Sequence, residues 1–141
     1  MMISQTAEYA LRAVVWLGSR PGEQVGTRQI SEAAQVPTGY LSKVLQMLAR
    51  ADLVVSTPGR GGGFRLARSA ANISVLDVVN AVDPIQRIRE CPLGLPSHGK
   101  NLCPLHRRLD NAMEQLEAAF ARSTVAEILA EESSSPPLFE L

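Results

Sequence analysis

YLSKVLQMLARADLVVSTPGRGGGFRLAR, residues 40–68, contains the change of periodicity that decides the fold. Its first part repeats apolar residues at helical spacing, with Leu41, Val44, Leu45 and Leu48 on one face. The pattern then changes to short β-type runs around Val54-Val55 and Phe64 to Leu66, separated by Gly59, Gly61, Gly62 and Gly63. These glycines are expected to take positive φ and let the hairpin tip approach a surface, with Arg60 supplying charge there. A phosphate-cradling enzyme loop is the competing reading, but such loops open onto a helix N-terminus, and here a strand follows. The stretch therefore predicts a helix followed at once by a β-hairpin.

Upstream, Val36-Pro37 breaks the chain, because a residue before proline is pushed out of the helical region. Thr38 is expected to cap the helix over 39–51, and Thr27 to cap a shorter one over 28–35. Two short helices joined by a tight turn, the second opening on small and polar residues, form a helix-turn-helix pattern. The hairpin that follows makes its wing. An earlier helix, QTAEYALRAVVWLGSR, places Ala10, Ala13, Val14 and Leu17 on one face and is expected to stop at Pro21-Gly22.

Downstream, ISVLDVVNAVD opens with Ser74 and Asp77 at capping-box spacing and carries Val75, Val78, Val79 and Val82 on its apolar face. Pro104 suits a first helical position, so PLHRRLDNAMEQLEAAFAR is expected to run as one helix. Its Leu109, Ala112, Leu116 and Ala119 repeat at 3,4,3 spacing, the seam of a helix that packs on a partner or on its own domain. So small a chain offers that helix little other core, which favours a homodimer. Thr124 and Glu127 form a second capping-box pair before VAEILAEE. The expected fold is mainly α with a small β-hairpin wing. It divides into a winged helix-turn-helix over 1–83, a Cys/His loop over 84–106, a dimerisation helix and short terminal helix over 104–132, and a disordered Ser/Pro-rich tail over 133–141.

Composition narrows the function. The chain has 141 residues, 45% of them hydrophobic, which suffices for one domain with a core. Two cysteines are too few for a secreted disulfide scaffold, and neither an export signal nor a membrane span is legible. A cytoplasmic protein without a membrane partner is expected. The net charge is zero, yet residues 1–70 carry a net +4 and residues 71–141 a net −4. A basic half that contains the helix-turn-helix is the asymmetry expected where one end meets the phosphates of double-stranded DNA. Thr38 and Tyr40 can donate to phosphate; Ser42 and Lys43 face away from the leucine stripe and can reach base edges; Arg28 opens the preceding helix. Lys43, Arg60, Arg65 and Arg68 together account for the basic half.

Every cysteine and histidine falls in ECPLGLPSHGKNLCPLH, residues 90–106: Cys91, His98, Cys103 and His106. Thiolate and imidazole are iron and zinc ligands. Cys103 is expected to cap the helix opened by Pro104, and His106 shares its face three residues on. Cys91 and His98 would close the set, with Gly94 and Gly99 letting the loop fold back. Four occupants remain open: an iron–sulfur cluster, zinc or another metal, a Cys91–Cys103 disulfide switch, or none. No catalytic constellation is legible, so an enzyme is not expected.

YLSKVLQMLARADLVVSTPGRGGGFRLAR, the I-x-x-x-D helix after it and the cysteine loop together resemble the Rrf-two superfamily of bacterial winged-helix transcriptional regulators, over residues 1 to about 131. The resemblance is strongest to the branch that senses iron–sulfur status or nitric oxide. It implies a homodimer on palindromic promoter DNA, acting as a repressor, with a cluster (usually 2Fe–2S) in the loop before the dimerisation helix. Cys91-x11-Cys103-x2-His106 reproduces the outer spacing of that loop, while Ser97 stands where the family pattern has its middle cysteine, with His98 beside it. Two-cysteine, two-histidine ligation raises a cluster's potential. Some relatives recruit a residue from the partner's first helix, which makes Glu8 a reserve ligand. The wing reads Pro58-Gly59-Arg60-Gly61-Gly62, with its arginine two residues nearer the tip than usual, and Ser42 replaces a specificity-setting glutamate. The rival readings are the same fold controlled by zinc, thiol oxidation or a small molecule, and a redox or metal carrier that does not bind DNA.

Overall fold

In the computed structural model, which describes residues 3–98 and 101–138, apolar spacing becomes burial almost position for position. Helix α1 spans Gln5–Gly18, opened by the Ser4 hydroxyl accepting from the Ala7 amide at 3.1 Å. Ala10, Ala13, Val14 and Leu17 are all buried. The helix stops short of Pro21 because Ser19 turns both its amide and its hydroxyl back onto last-turn carbonyls, the hydroxyl donating to Trp16 at 2.5 Å.

Helix α2 spans Thr27–Ala34 and α3 spans Thr38–Arg50. Both expected threonine caps are corrected by one residue. Gly26 and Pro37 hold the extended backbone of the cap position, and their carbonyls accept from Ile30 at 3.1 Å and Leu41 at 2.9 Å. Thr27 and Thr38 are the first helical residues; the Thr38 hydroxyl turns sideways to that of Ser31, at 3.1 Å. Gln35 makes the turn in the left-handed region at φ 53°, and the Ser31 hydroxyl donates across it to the Val36 carbonyl at 2.5 Å.

The wing is an antiparallel pair, β1 Val54–Thr57 and β2 Gly63–Leu66, with Val54 opposite Leu66 and Thr57 opposite Gly63. Val25 adds a third rung not anticipated from sequence. Its amide donates to the Phe64 carbonyl at 2.9 Å, and the Phe64 amide donates back at 2.8 Å. Gly63, at φ 145°, is required for this approach, since a Cβ there would sit 2.5 Å from the Val25 carbonyl oxygen. Gly62 is not in the positive-φ region expected of it. It is small because a Cβ would lie 2.1 Å from the Thr57 oxygen.

After a short 3-10 helix over Ala70–Asn72, α4 spans Val75–Val82 with the Ser74–Asp77 box closed in both directions at 3.0 Å. Helix α5 spans Pro104–Arg122, as its sequence predicts, and α6 spans Val125–Ala130. Of the second expected box, Thr124 caps the Glu127 amide at 3.1 Å and α6 ends two residues early. The chain on either side of Ser74 and Thr124 pairs as a bridge, with the Val75 amide on the Ser123 carbonyl and the Val125 amide on that of Ile73.

Leu41, Leu45 and Leu48 of α3 centre the main core with Val14 and Leu17 of α1, Ile30 of α2, and Leu53, Ile73 and Val78. Burial of each large aliphatic contributes about 1.5–3 kcal/mol. Among the described residues no polar side chain is fully buried, and no helix is long and apolar enough to cross a membrane. The architecture is a winged helix-turn-helix, mainly helical with a two-stranded wing. Helix α5 stands apart: it packs on α4, none of its residues is buried, and Leu105 and Leu109 are 60% and 45% exposed. In the segment expected to be a disordered tail, Leu138 lies against the main core, and residues 139–141 fall outside the described residues.

Candidate nucleic-acid interface and cysteine–histidine loop

The leucine stripe of α3 turns the opposite face outward, and Thr38, Tyr40, Ser42 and Lys43 are exposed along it. Arg60 is exposed at the wing tip. Among the described residues Lys43 and Arg60 form no ion pair, so both cations are available to phosphate. The other candidates have partners within the chain. Arg28 meets Glu32 one turn on at 3.2 Å, with both side chains well exposed, a pair of little energetic weight. Ser42 donates to the Thr38 carbonyl at 3.2 Å. Tyr40 hydrogen-bonds the Thr6 hydroxyl and stands edge-on to Tyr9, ring centroids 5.3 Å apart. Arg65 and Arg68 donate to nearby carbonyls, Leu66 for the first and Asp52 and Asn72 for the second.

Three supports of this surface were not read from sequence. Thr6 and Tyr9 of α1 hold the first turn of α3 through Tyr40. Arg12 of α1 donates to the carbonyls of Ala34 and Gln35 at 3.3 and 3.1 Å, placing a cation at the C-terminal end of α2. Arg12 is itself held by Glu8 at 2.8 Å. The Glu8–Arg12 spacing of four was the one signal available in the sequence. The reserve ligand Glu8 thus braces the helix-turn-helix in this conformation.

In the loop, both cysteines are free thiols and half-buried. Cys91 Sγ lies 3.7 Å from His98 Nδ1, and Cys103 Sγ lies 3.4 Å from His106 Nδ1. Cys103 occupies the cap position of α5, with Pro104 at the first position, but its sulfur makes no capping bond and turns to His106 instead. Gly94 folds the loop back at φ 65°; Gly99 lies outside the described residues. The donor types suit iron or zinc. Their arrangement is two Cys–His pairs, and among the described residues no three His, Cys, Asp or Glu side chains converge as a metal site.

The base of the loop carries an ion pair that sequence reading missed. Arg87 grips both carboxylate oxygens of Asp110 of α5 through Nε and Nη2 at 2.7 Å each, and reaches Glu117 through Nη1 at 2.9 Å and Glu114 through Nη2 at 3.4 Å. The Ile88 amide donates to the same Asp110 at 2.9 Å. Arg87 and Asp110 are 15% and 14% exposed. Hydrogen bonding from Arg87 holds the Asp110 carboxyl down at about 2, and the carboxylates raise the guanidinium above its ordinary range.

Solved structures share this architecture. The chain is similar to IscR of T. potens, with 23% identity and a TM-score of 0.77 over 96% of this chain and 92% of that one. It is equally close in shape to CymR, the global cysteine regulator of B. subtilis, at 19% identity and a TM-score of 0.77 over 94% and 99%. The oxidised form of Staphylococcus aureus CymR follows at 21% identity and a TM-score of 0.73 over 95% and 100%. At these identities the likeness establishes the fold. The profile of the Rrf2 family, described as iron-dependent transcriptional regulators, matches residues 3–131, and on that near-complete match the chain belongs to the Rrf2 family.

Proposed function

We propose that this protein is a homodimeric repressor that binds palindromic promoter DNA and responds to iron–sulfur, redox or nitric oxide status through residues 91–106. The observation that carries the DNA reading is the pair of cations without an ion-pair partner among the described residues, Lys43 on the outer face of α3 and Arg60 at the wing tip, carried by elements that pack into one core. Ser42 and Lys43 address base edges, Thr38 and Arg28 the backbone, and Arg60 an adjacent groove. Tyr40 keeps α3 seated on α1 and offers its ring edge to the duplex. Residues 1–83 form the DNA-binding unit in this reading. Leu105, Leu109, Ala112, Leu116 and Ala119 of α5 form the two-fold seam, which accounts for a 19-residue helix with no buried residue.

The test is salt-dependent binding to a palindromic duplex. Removing a cation that neutralises one phosphate lowers the salt slope by about 0.9. Lys43→Ala and Arg60→Ala should each weaken binding; unchanged affinity in both refutes these two cations as the DNA contacts, and a wild type with no salt-dependent duplex binding favours a carrier.

For the loop, the donor set supports a 2Fe–2S cluster held by Cys91, Cys103, His106 and His98, with Glu8 of the partner in reserve. Such a group would supply a redox or gas-reactive centre. The two separate Cys–His pairs specifically favour a second reading, in which the thiols themselves are the switch or take zinc. Anaerobic purification with iron, sulfide and zinc analysis separates these. A colourless, metal-free protein that resists reconstitution eliminates the cluster. Intact signalling in both Cys91→Ala and Cys103→Ala eliminates the loop as sensor.

A further inference from the structure

Arg87 and Asp110 have no role in the surface or loop chemistry described so far, yet they form the least exposed ion pair in the described residues. Residues 84–89 leave α4 without regular secondary structure and run along α5 toward its N-terminus. Ile85 packs in the cluster that holds Phe120, Ile85 and Gln86 lie beside Met113 and Leu116, and Ile88 reaches Asp110. The direction is therefore antiparallel to α5. From Ile88, the three residues to Cys91 span at most about 10 Å. From Asp110, seven helical residues carry it back about 10.5 Å to Cys103. The Cys91 arm is therefore just long enough to reach the level of Cys103.

We propose that the Arg87–Asp110 pair is a positioning element that sets the axial register of the Cys91 arm against the Cys103–His106 arm. Asp110 is bound at once by the Arg87 side chain and the Ile88 amide, so sliding by one residue breaks three hydrogen bonds together. Glu114 and Glu117, one and two turns further along, extend the grip and oppose rotation of α5. These carboxylates lie roughly 120–180° around the helix from Leu105, so the clamp leaves the exposed seam free. The inference rests on residues 91–106 being the sensory segment only for its biological meaning; the register itself is measurable without it.

The probe is a glutathione redox titration of the metal-free chain. Oxidised glutathione takes two electrons and two protons from the Cys91 and Cys103 thiols, giving one protein disulfide and two glutathione thiols. The equilibrium reports the effective concentration of one cysteine at the other. Asp110→Ala should lower it about tenfold, as loss of an orienting partner does at ligand sites. Arg87→Lys keeps the charge without the two-pronged contact and should fall between Asp110→Ala and wild type. If Asp110→Ala does not fold, Asp110→Asn and Arg87→Lys decide. A purely structural role would lower the unfolding midpoint and leave the effective concentration unchanged. Equal effective concentrations in folded variants and wild type, or a wild-type pair that never closes, overturn the proposal. If the variants shift but oxidation of the wild type leaves DNA binding unaltered, the clamp stands and the sensory reading falls.

Discussion

Gly63→Ala should detach the wing from the core at the Val25 rung. The added Cβ would meet the Val25 backbone at 2.5 Å from its oxygen, 2.6 Å from its carbonyl carbon and 2.9 Å from its nitrogen. Backbone cannot swing aside as a side-chain tip can, so the rung between Val25 and Phe64 has to open. That sacrifices two hydrogen bonds of 2.9 and 2.8 Å, about 0.5–1.5 kcal/mol each. The φ of 145° adds about 1–3 kcal/mol of strain for any residue with a Cβ. The expected loss is about 2–6 kcal/mol. Gly61→Ala is the control: it also has positive φ, at 70°, but nothing lies within 4 Å of the new methyl, so only about 1–2 kcal/mol is expected. Urea unfolding at one fixed protein concentration measures both, since self-association would make the midpoint move with concentration. Because Val25 anchors the wing to the core, Gly63→Ala should also weaken duplex binding more than Gly61→Ala. Equal midpoints for the two variants would refute the argument that backbone approach, not φ alone, dictates this glycine.

Leu109→Glu places a charge in the exposed α5 seam and should shift the protein toward monomer in sedimentation velocity, with duplex affinity falling in parallel; an unchanged dimer rejects the seam. Arg12→Met removes the cation from the end of α2 and should cost about 1–2 kcal/mol, at the low end because Arg12 is 33% exposed. Thermal melts read that loss, and an unaltered melt means the Ala34 and Gln35 carbonyls do not depend on Arg12. Asp110 titrates near 2 when folded against an ordinary 3.8. Its carboxylate therefore stabilises the fold above about pH 4, and that stabilisation is lost as pH falls toward 2. Asp110→Asn should flatten the stability profile in that window and leave its slope above pH 5 unchanged, which urea midpoints across pH 2–6 would show.

Local rules predicted what local physics controls. The stripe of Leu41, Val44, Leu45 and Leu48, the Ser74–Asp77 box and the proline start of α5 depend on residues within a turn or two of each other, and each formed. The threonine caps slipped by one because glycine and proline already satisfy the cap backbone, which frees Thr38 to bond Ser31. What was illegible is long-range. Val25 joining Phe64, Thr6 meeting Tyr40 and Arg87 gripping Asp110 span 39, 34 and 23 positions, and no spacing rule connects such residues. The Cys/His quartet shows the converse limit. Composition points to four donors, but donor type does not fix distance, and the fold divides them into two pairs.

That division bears on how a signal would cross the molecule. Helix α5 is tied at its C-terminal end by the Ser74–Thr124 bridge and midway by Arg87, while its first turn carries Cys103 and His106 beside the loop. A rod held at its middle and far end cannot pivot as a whole, so displacement of the free end has to bend α5 or carry the clamped segment with it. The body it moves against is α4, which packs on both α1 and α3. Both belong to the unit proposed to face DNA: α1 braces α2 through Arg12 and α3 through Thr6 and Tyr9, and α3 carries Lys43. Joining Cys91 to Cys103, by disulfide or through a shared metal, has to move at least one of the two Cys–His pairs. The Arg87 clamp would then pass that movement into a shift of α5 against α4, and in the proposed two-fold dimer seamed by α5 such a shift would change the spacing of the two α3 helices. Half-site spacing is what a palindromic operator reads. Response to the loop should therefore be larger on a duplex whose half-sites are correctly spaced than on one with a base pair inserted between them. A response of equal size on both duplexes would mean the loop alters affinity within each half-site instead.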